Sequence, residues 1–238
     1  MPPNDTAPMP DGTVVIASST KPAPQLMLLF HGVGADAADL VPLGQRLARA
    51  YPQACIVSVQ APQRCDFGRG RQWFSVRDID EAGRVQRVAE ALPGFAARVR
   101  QWQRDSGAGV AQTALVGFSQ GAIMALETTR HEPALAGRVI ALAGRFAELP
   151  QRPAPRTTLH LLHGMRDAVI PASLTRAAAE HLVAIGADVT ADLLPGLGHG
   201  IDDALVERLL ERLQTHVPAH TWREALAADP GQPGGDVH

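Results

Sequence analysis

The string "ALVGFSQGAIMALE", residues 114–127, holds one hydroxyl where an apolar run gives way to a helix-forming run, with Gly117 and Gly121 on either side of Ser119. This G-x-S-x-G spacing fits a sharp strand–turn–helix reversal that presents the central residue above the sheet. The bland alternative is a capping serine between two turn glycines. A serine hydroxyl is a poor nucleophile near neutral pH, so chemistry here needs a base and a group that orients the base. Both follow in the chain, in the order serine, acid, histidine. Asp167 sits in "MRDAVIP" after the apolar run "TLHLLHG", and His199 sits in "LGHGID" after "DVTADLLPG". Both fall where open α/β sheets gather their functional groups, at the carboxyl ends of strands.

The other candidates fit less well. His160 and His163 lie three apart on one strand and should point to opposite faces, which rules out local chelation of one metal. Asp202 and Asp203 follow His199 and should support the first turn of the last helix. Attack on a carbonyl also needs donors for the oxyanion. "LLFHGVGAD" turns through Gly32 and Gly34 and can aim the Val33 N–H at it, with the Gln120 N–H as second donor.

These loops need strands behind them. Short apolar runs at 13–19, 25–32, 54–62, 113–119, 138–144, 158–164 and 188–196 alternate with helical patterns at 36–51, 80–104, 120–131, 173–186 and 201–215. Continuous Val/Ile/Leu runs suit parallel strands covered on both faces. The short "TKPAP" connection suggests that the first two runs form an antiparallel edge pair. Pro93-Gly94 should interrupt or kink the 80–104 helix. The predicted class is α/β, a mostly parallel sheet of about seven strands with helices on both faces. One domain over 13–228 is expected, with a flexible segment at 1–12 and a disordered Gly/Pro-rich tail at 229–238.

Composition narrows the partners. The 238 residues are 45% hydrophobic and 19% charged, with a net charge of −2. That balance argues against nucleic acid or an anionic membrane as a partner. Cys55 and Cys65 make no disulfide framework and no metal site. The first residues lack a signal-peptide pattern, and no apolar run is long enough to span a bilayer. The expectation is a soluble, cytoplasmic protein.

Taken together, "LLFHGVGAD", "GFSQGAIMALE", "HLLHGMRDAVIP" and "LPGLGHGID" resemble the phospholipase/carboxylesterase family of α/β-hydrolases, which includes the acyl-protein thioesterases. "GRQWFSV" and "RVIALAGR" resemble a bacterial esterase branch of it. The resemblance runs from about residue 25 to 225. It implies an α/β-hydrolase fold, a Ser119–Asp167–His199 triad, and hydrolysis of short to medium acyl esters through an acyl-enzyme. A lysophospholipase or thioesterase with the same triad is the alternative, and a non-catalytic binding protein the third reading. The loop 61–74 would wall the acyl site with Phe67, Trp73 and Phe74, joined by Met165, Val169 and Ile170. His31, Gly32 and Phe118, beside the reacting groups, complete the expected substrate-binding set. Where many relatives carry an aspartate after Trp-Phe, this chain has Ser75. No metal or organic cofactor is implied, and the expected partner is a small-molecule ester, with a homodimer left open.

Overall fold

In the computed structural model, which describes residues 8–228, the seven apolar runs are the strands of one sheet. They are β1 (Val14–Ala17), β2 (Leu26–Phe30), β3 (Cys55–Val59), β6 (Thr113–Phe118), β7 (Arg138–Leu142), β8 (Thr158–Gly164) and β9 (Val189–Leu194). A two-residue pair, β4 (Gln63–Arg64) and β5 (Arg71–Gln72), forms a separate hairpin. The main sheet runs β1-β3-β2-β6-β7-β8-β9, parallel except for β1. This is the mostly parallel sheet expected from the alternation of runs, in the α/β-hydrolase architecture that the resemblance implies.

The edge pair differs from expectation. β1 is antiparallel, but its partner is β3 rather than β2. Burial explains the exchange: all five residues of β2 are buried, whereas β1 alternates buried and half-buried. A run as apolar as Leu-Met-Leu-Leu-Phe needs a strand on each side, and β3 and β6 take those places.

Side-chain alternation along the strands builds two cores. Leu26, Leu28 and Phe30 of β2 face α2 (Glu81–Ser106), α3 (Gln120–His131) and α4 (Ala172–Ala184). Met27 and Leu29 face α1 (Val41–Ala50) and α5 (Asp203–Thr215) on the other side. Helix α3 is buried on every side from Gln120 to Thr129, which makes it the central helix behind the sheet's middle strands.

Helix α2 passes through Pro93 without a break, contrary to the expected interruption. Pro93 and Gly94 are exposed, so water can satisfy the carbonyl that loses its partner. Val88 and Leu92 before them, and Phe95, Ala96 and Val99 after them, are all docked in the core. A last helix, α6 (Ala219–Ala228), extends beyond the elements read from sequence. Of the segment expected to be flexible, residues 8–12 form a turn in which Pro8 bridges Val14 and the Met9 N–H donates to Thr13 O at 2.7 Å. Residues 1–7 and the tail 229–238 lie outside the described residues.

Candidate active site

The reversal between β6 and α3 is tight enough to hold Ser119 at φ 52°, ψ −114°, a left-handed conformation that costs a non-glycine residue about 1–3 kcal/mol. The flanking glycines make it sterically possible. A side-chain carbon on Gly117 would fall 2.4 Å from Gly121 O, and one on Gly121 would fall 2.1 Å from Phe30 O. The elbow thus wedges against the end of β2, where the loop that could trap an oxyanion begins.

Two further loops converge on it. Asp167 follows β8, and His199 lies between β9 and α5, whose first turn Asp202 caps through the Leu205 N–H at 2.8 Å. The Arg166 N–H donates to Leu197 O at 2.9 Å, tying the two loops together. Ser119 Oγ lies 2.9 Å from His199 Nε2, and His199 Nδ1 lies 2.7 Å from Asp167 Oδ2. A carboxylate only accepts, so Nδ1 carries the ring proton and Nε2 is left to accept the serine O–H. Three side chains far apart in sequence form one line of hydrogen bonds along which a hydroxyl proton can be drawn off.

Asp167 is well held. Its Oδ1 accepts the N–H groups of Val169 at 2.8 Å and Ile170 at 2.9 Å. Burial opposes its ionisation, but the hydrogen bonds from His199, Ile170 and Val169 outweigh burial and keep the carboxyl below its ordinary value. His163 is a partner that sequence reasoning had set aside. Fully buried, it brings Nε2 within 3.0 Å of Asp167 Oδ2 while donating to Ile170 O at 2.8 Å. Its Nδ1 meets Thr175 Oγ1 at 2.7 Å. His160, on the opposite face as alternation requires, pairs instead with Thr190 Oγ1 at 2.8 Å.

The loop after β2 adjoins the elbow. A side-chain carbon on Gly32 would approach Ser119 Cβ to 3.2 Å, and Val33 and Gln120 line the cleft that opens at Ser119. His31 is buried behind this loop. Its Nδ1–H donates to Gly32 O at 2.8 Å and its Nε2 accepts the Ala61 N–H at 3.2 Å, so the ring is neutral. Desolvation lowers its pKa, consistent with that state. The Gln120 side chain fastens the elbow to the loop 61–74, accepting from the Trp73 N–H and donating to Phe74 O, both at 2.7 Å.

The cleft has a volume of about 270 Å³ and an apolar wall that includes Phe74, Val76, Ile123, Val169 and Ile170. Three expected wall residues stand elsewhere. Trp73 is 2% exposed, packs on Phe30 and Phe95, and donates Nε1–H to His31 O at 2.9 Å. Phe67 is 65% exposed under the Arg77 guanidinium, and Met165 is 50% exposed outside the cleft. Phe118 stacks at a tilt near His199, with ring centres 5.2 Å apart. Ser75 donates to Asp66 Oδ2 at 2.7 Å. That bond, with donors from Gln72, Val76 and Arg77, overcomes desolvation and holds the Asp66 carboxyl at about 2.

Known proteins place the chain as a whole. Residues 11–217 match the family described as Phospholipase/Carboxylesterase. The chain is 46% identical over 222 residues to Esterase YpfH of Escherichia coli, covering 93% of this chain and 95% of that protein. It is 29% identical over 180 residues to Acyl-protein thioesterase 1 of Kluyveromyces lactis, covering 68% and 78% respectively. The crystal structure of esterase PE8 superposes with a TM-score of 0.76 at 28% identity, over 85% of this chain and 97% of that one. Matched by that family over residues 11–217 and aligned along nearly its whole length with an esterase, the chain is a member of the phospholipase/carboxylesterase family.

Proposed function

We propose that the chain is a serine carboxylesterase acting on short to medium acyl esters, with Ser119 as nucleophile, His199 as base and Asp167 orienting the base. The observation that carries the reading is the unbroken line from Ser119 Oγ through His199 to Asp167, set in a strained elbow at the mouth of an apolar cleft. As Oγ bonds to the ester carbon, its proton passes to His199 Nε2 and the carbonyl electrons move onto oxygen. The N–H groups of Val33 and Gln120 receive that oxyanion in this reading. Collapse expels the alcohol, which takes the proton from Nε2, and water repeats the sequence to free the acid.

Thioesters use the same steps, and the likeness to Acyl-protein thioesterase 1 supports them as alternative substrates. The reading keeps the enzyme in the cytoplasm, where Cys55 and Cys65, which form no disulfide, suit a reducing compartment. No helix among the described residues is long and apolar enough to cross a membrane. A series of p-nitrophenyl esters from C2 to C16, run beside an acyl thioester and a lysophospholipid, tests the substrate class. Turnover highest between C2 and C8 is expected; activity confined to lysophospholipid or acylated protein would contradict it.

A further inference from the structure

The cleft beside Ser119 is apolar along most of its wall, yet two charged residues line it and both are arginines. Arg84 comes from α2, and Arg145 from the loop after β7. They share one carboxylate. Glu81 accepts from Arg145 at 2.6 and 3.2 Å, and stands 3.7 Å from Arg84 Nε, beyond hydrogen-bond range. Its own side chain is 65% exposed and does not line the cleft.

Two acids of the adjoining segments are engaged elsewhere. Asp80 caps α2 through the Gly83 N–H, and Asp66 takes donors from Ser75, Val76 and Arg77. Arg84 Nε is buried with no acceptor. A buried donor without a partner is costly, and two guanidinium groups against one carboxylate leave a positive charge at a largely apolar cleft. The unbalanced charge calls for an anion, which would meet the exposed part of the Arg84 guanidinium rather than its enclosed Nε, and a carboxylate matches the planar fork of arginine.

Resting on the esterase reading above, we propose that the preferred substrate is an ester whose cleft-bound arm is a short apolar chain ending in a carboxylate, received by Arg84 and Arg145. Two chemical sources give such an arm: the half-ester of a dicarboxylic acid, with the charge on the acyl side, or an acylated hydroxy acid, with the charge on the alcohol side.

The test measures kcat/KM for two pairs. One sets p-nitrophenyl hydrogen glutarate against p-nitrophenyl pentanoate, and the other sets ω-acetoxypentanoate against pentyl acetate. In one of the pairs the anionic ester should lead by about tenfold or more, since hydrogen bonds to charged groups are the strong ones. Added salt should shrink the lead. Arg84→Gln should bring the ratio to about one or below, and Arg84→Lys should keep part of it. A neutral ester turned over as fast as its anionic partner in both pairs, or a ratio unmoved in Arg84→Gln, overturns the proposal and leaves the esterase standing. Turnover of no ester at all removes the esterase reading and this one with it.

Discussion

At the scale of single residues, the site is a set of donors and acceptors matched almost completely. Asp167 faces two backbone N–H groups with one oxygen and two imidazoles with the other. In the proposed mechanism His163 is a positioning residue, bracing the turn that presents the Asp167 oxygen to His199. His163→Gln should lower kcat by up to roughly tenfold with little change in KM, because the ring braces the Asp167 turn through its bond to Ile170 O, and an ordinary hydrogen bond is worth about 0.5–1.5 kcal/mol. Asp167→Asn should cost far more, on the order of 10⁴ in kcat. Equal losses in the two variants, or a loss confined to KM, would contradict this ranking in a steady-state comparison. Ser119, Asp167 and His199 could be read from sequence because each follows an apolar run and their order fits one topology. The part played by His163 could not: its contact with Asp167, four residues on, depends on how the turn after β8 folds back. The aromatic residues of the loop 61–74 were equally opaque, since a ring that walls a cleft and a ring that fills a core have the same sequence signature.

At the scale of elements, the elbow depends on backbones that nearly touch. Gly121→Ala would place a methyl 2.1 Å from Phe30 O and 2.8 Å from His31 O. This strand end cannot yield without moving the loop after β2, so the variant should lose both activity and stability, by more than the roughly 1–3 kcal/mol typical of overpacking. Gly94 gives the opposite sign. It is exposed within α2 and nothing lies within 4 Å of an added carbon, so Gly94→Ala should stabilise by about 0.5–1 kcal/mol. Urea denaturation of both variants checks the pair, and a neutral Gly121→Ala would contradict the wedge. Element types were legible in the sequence because strand runs and helical stripes differ in period. Pairing was not: β1 and β2 are neighbours along the chain but are separated in the sheet by β3. The continuity of α2 through Pro93 also follows from tertiary docking of its two halves rather than from local propensity.

For the whole molecule, buried imidazoles outside the Ser119–His199–Asp167 line set a pH limit on stability. Burial, reinforced by the Arg138 and His216 charges, lowers the His160 pKa to about 3, and burial lowers that of His31 as well. Unfolded, each ring takes its proton near 6.5, so below that pH the unfolded chain binds more protons than the folded one. Stability is fully present above pH 6.5 and falls as pH drops from there, for His160 until about 3, by up to about 1.4 kcal/mol per pH unit for each such group. The carboxyls held low, Asp66, Asp167 and Asp188 among them, add their loss only below about pH 4. Unfolding free energies between pH 6.5 and 4.5 should therefore slope downward toward acid in the wild type and less steeply in His160→Gln; equal slopes would contradict a buried neutral ring.

Esterase activity requires that the Ser119 hydroxyl react as the line of bonds behind it implies. The most direct measurement is intact-mass and peptide mapping after treatment with a fluorophosphonate. One adduct per chain on the peptide holding Ser119, absent in Ser119→Ala and much slowed in Asp167→Asn, is the predicted result. A folded wild-type protein that stays unlabelled, or an adduct carried by another residue, would contradict it.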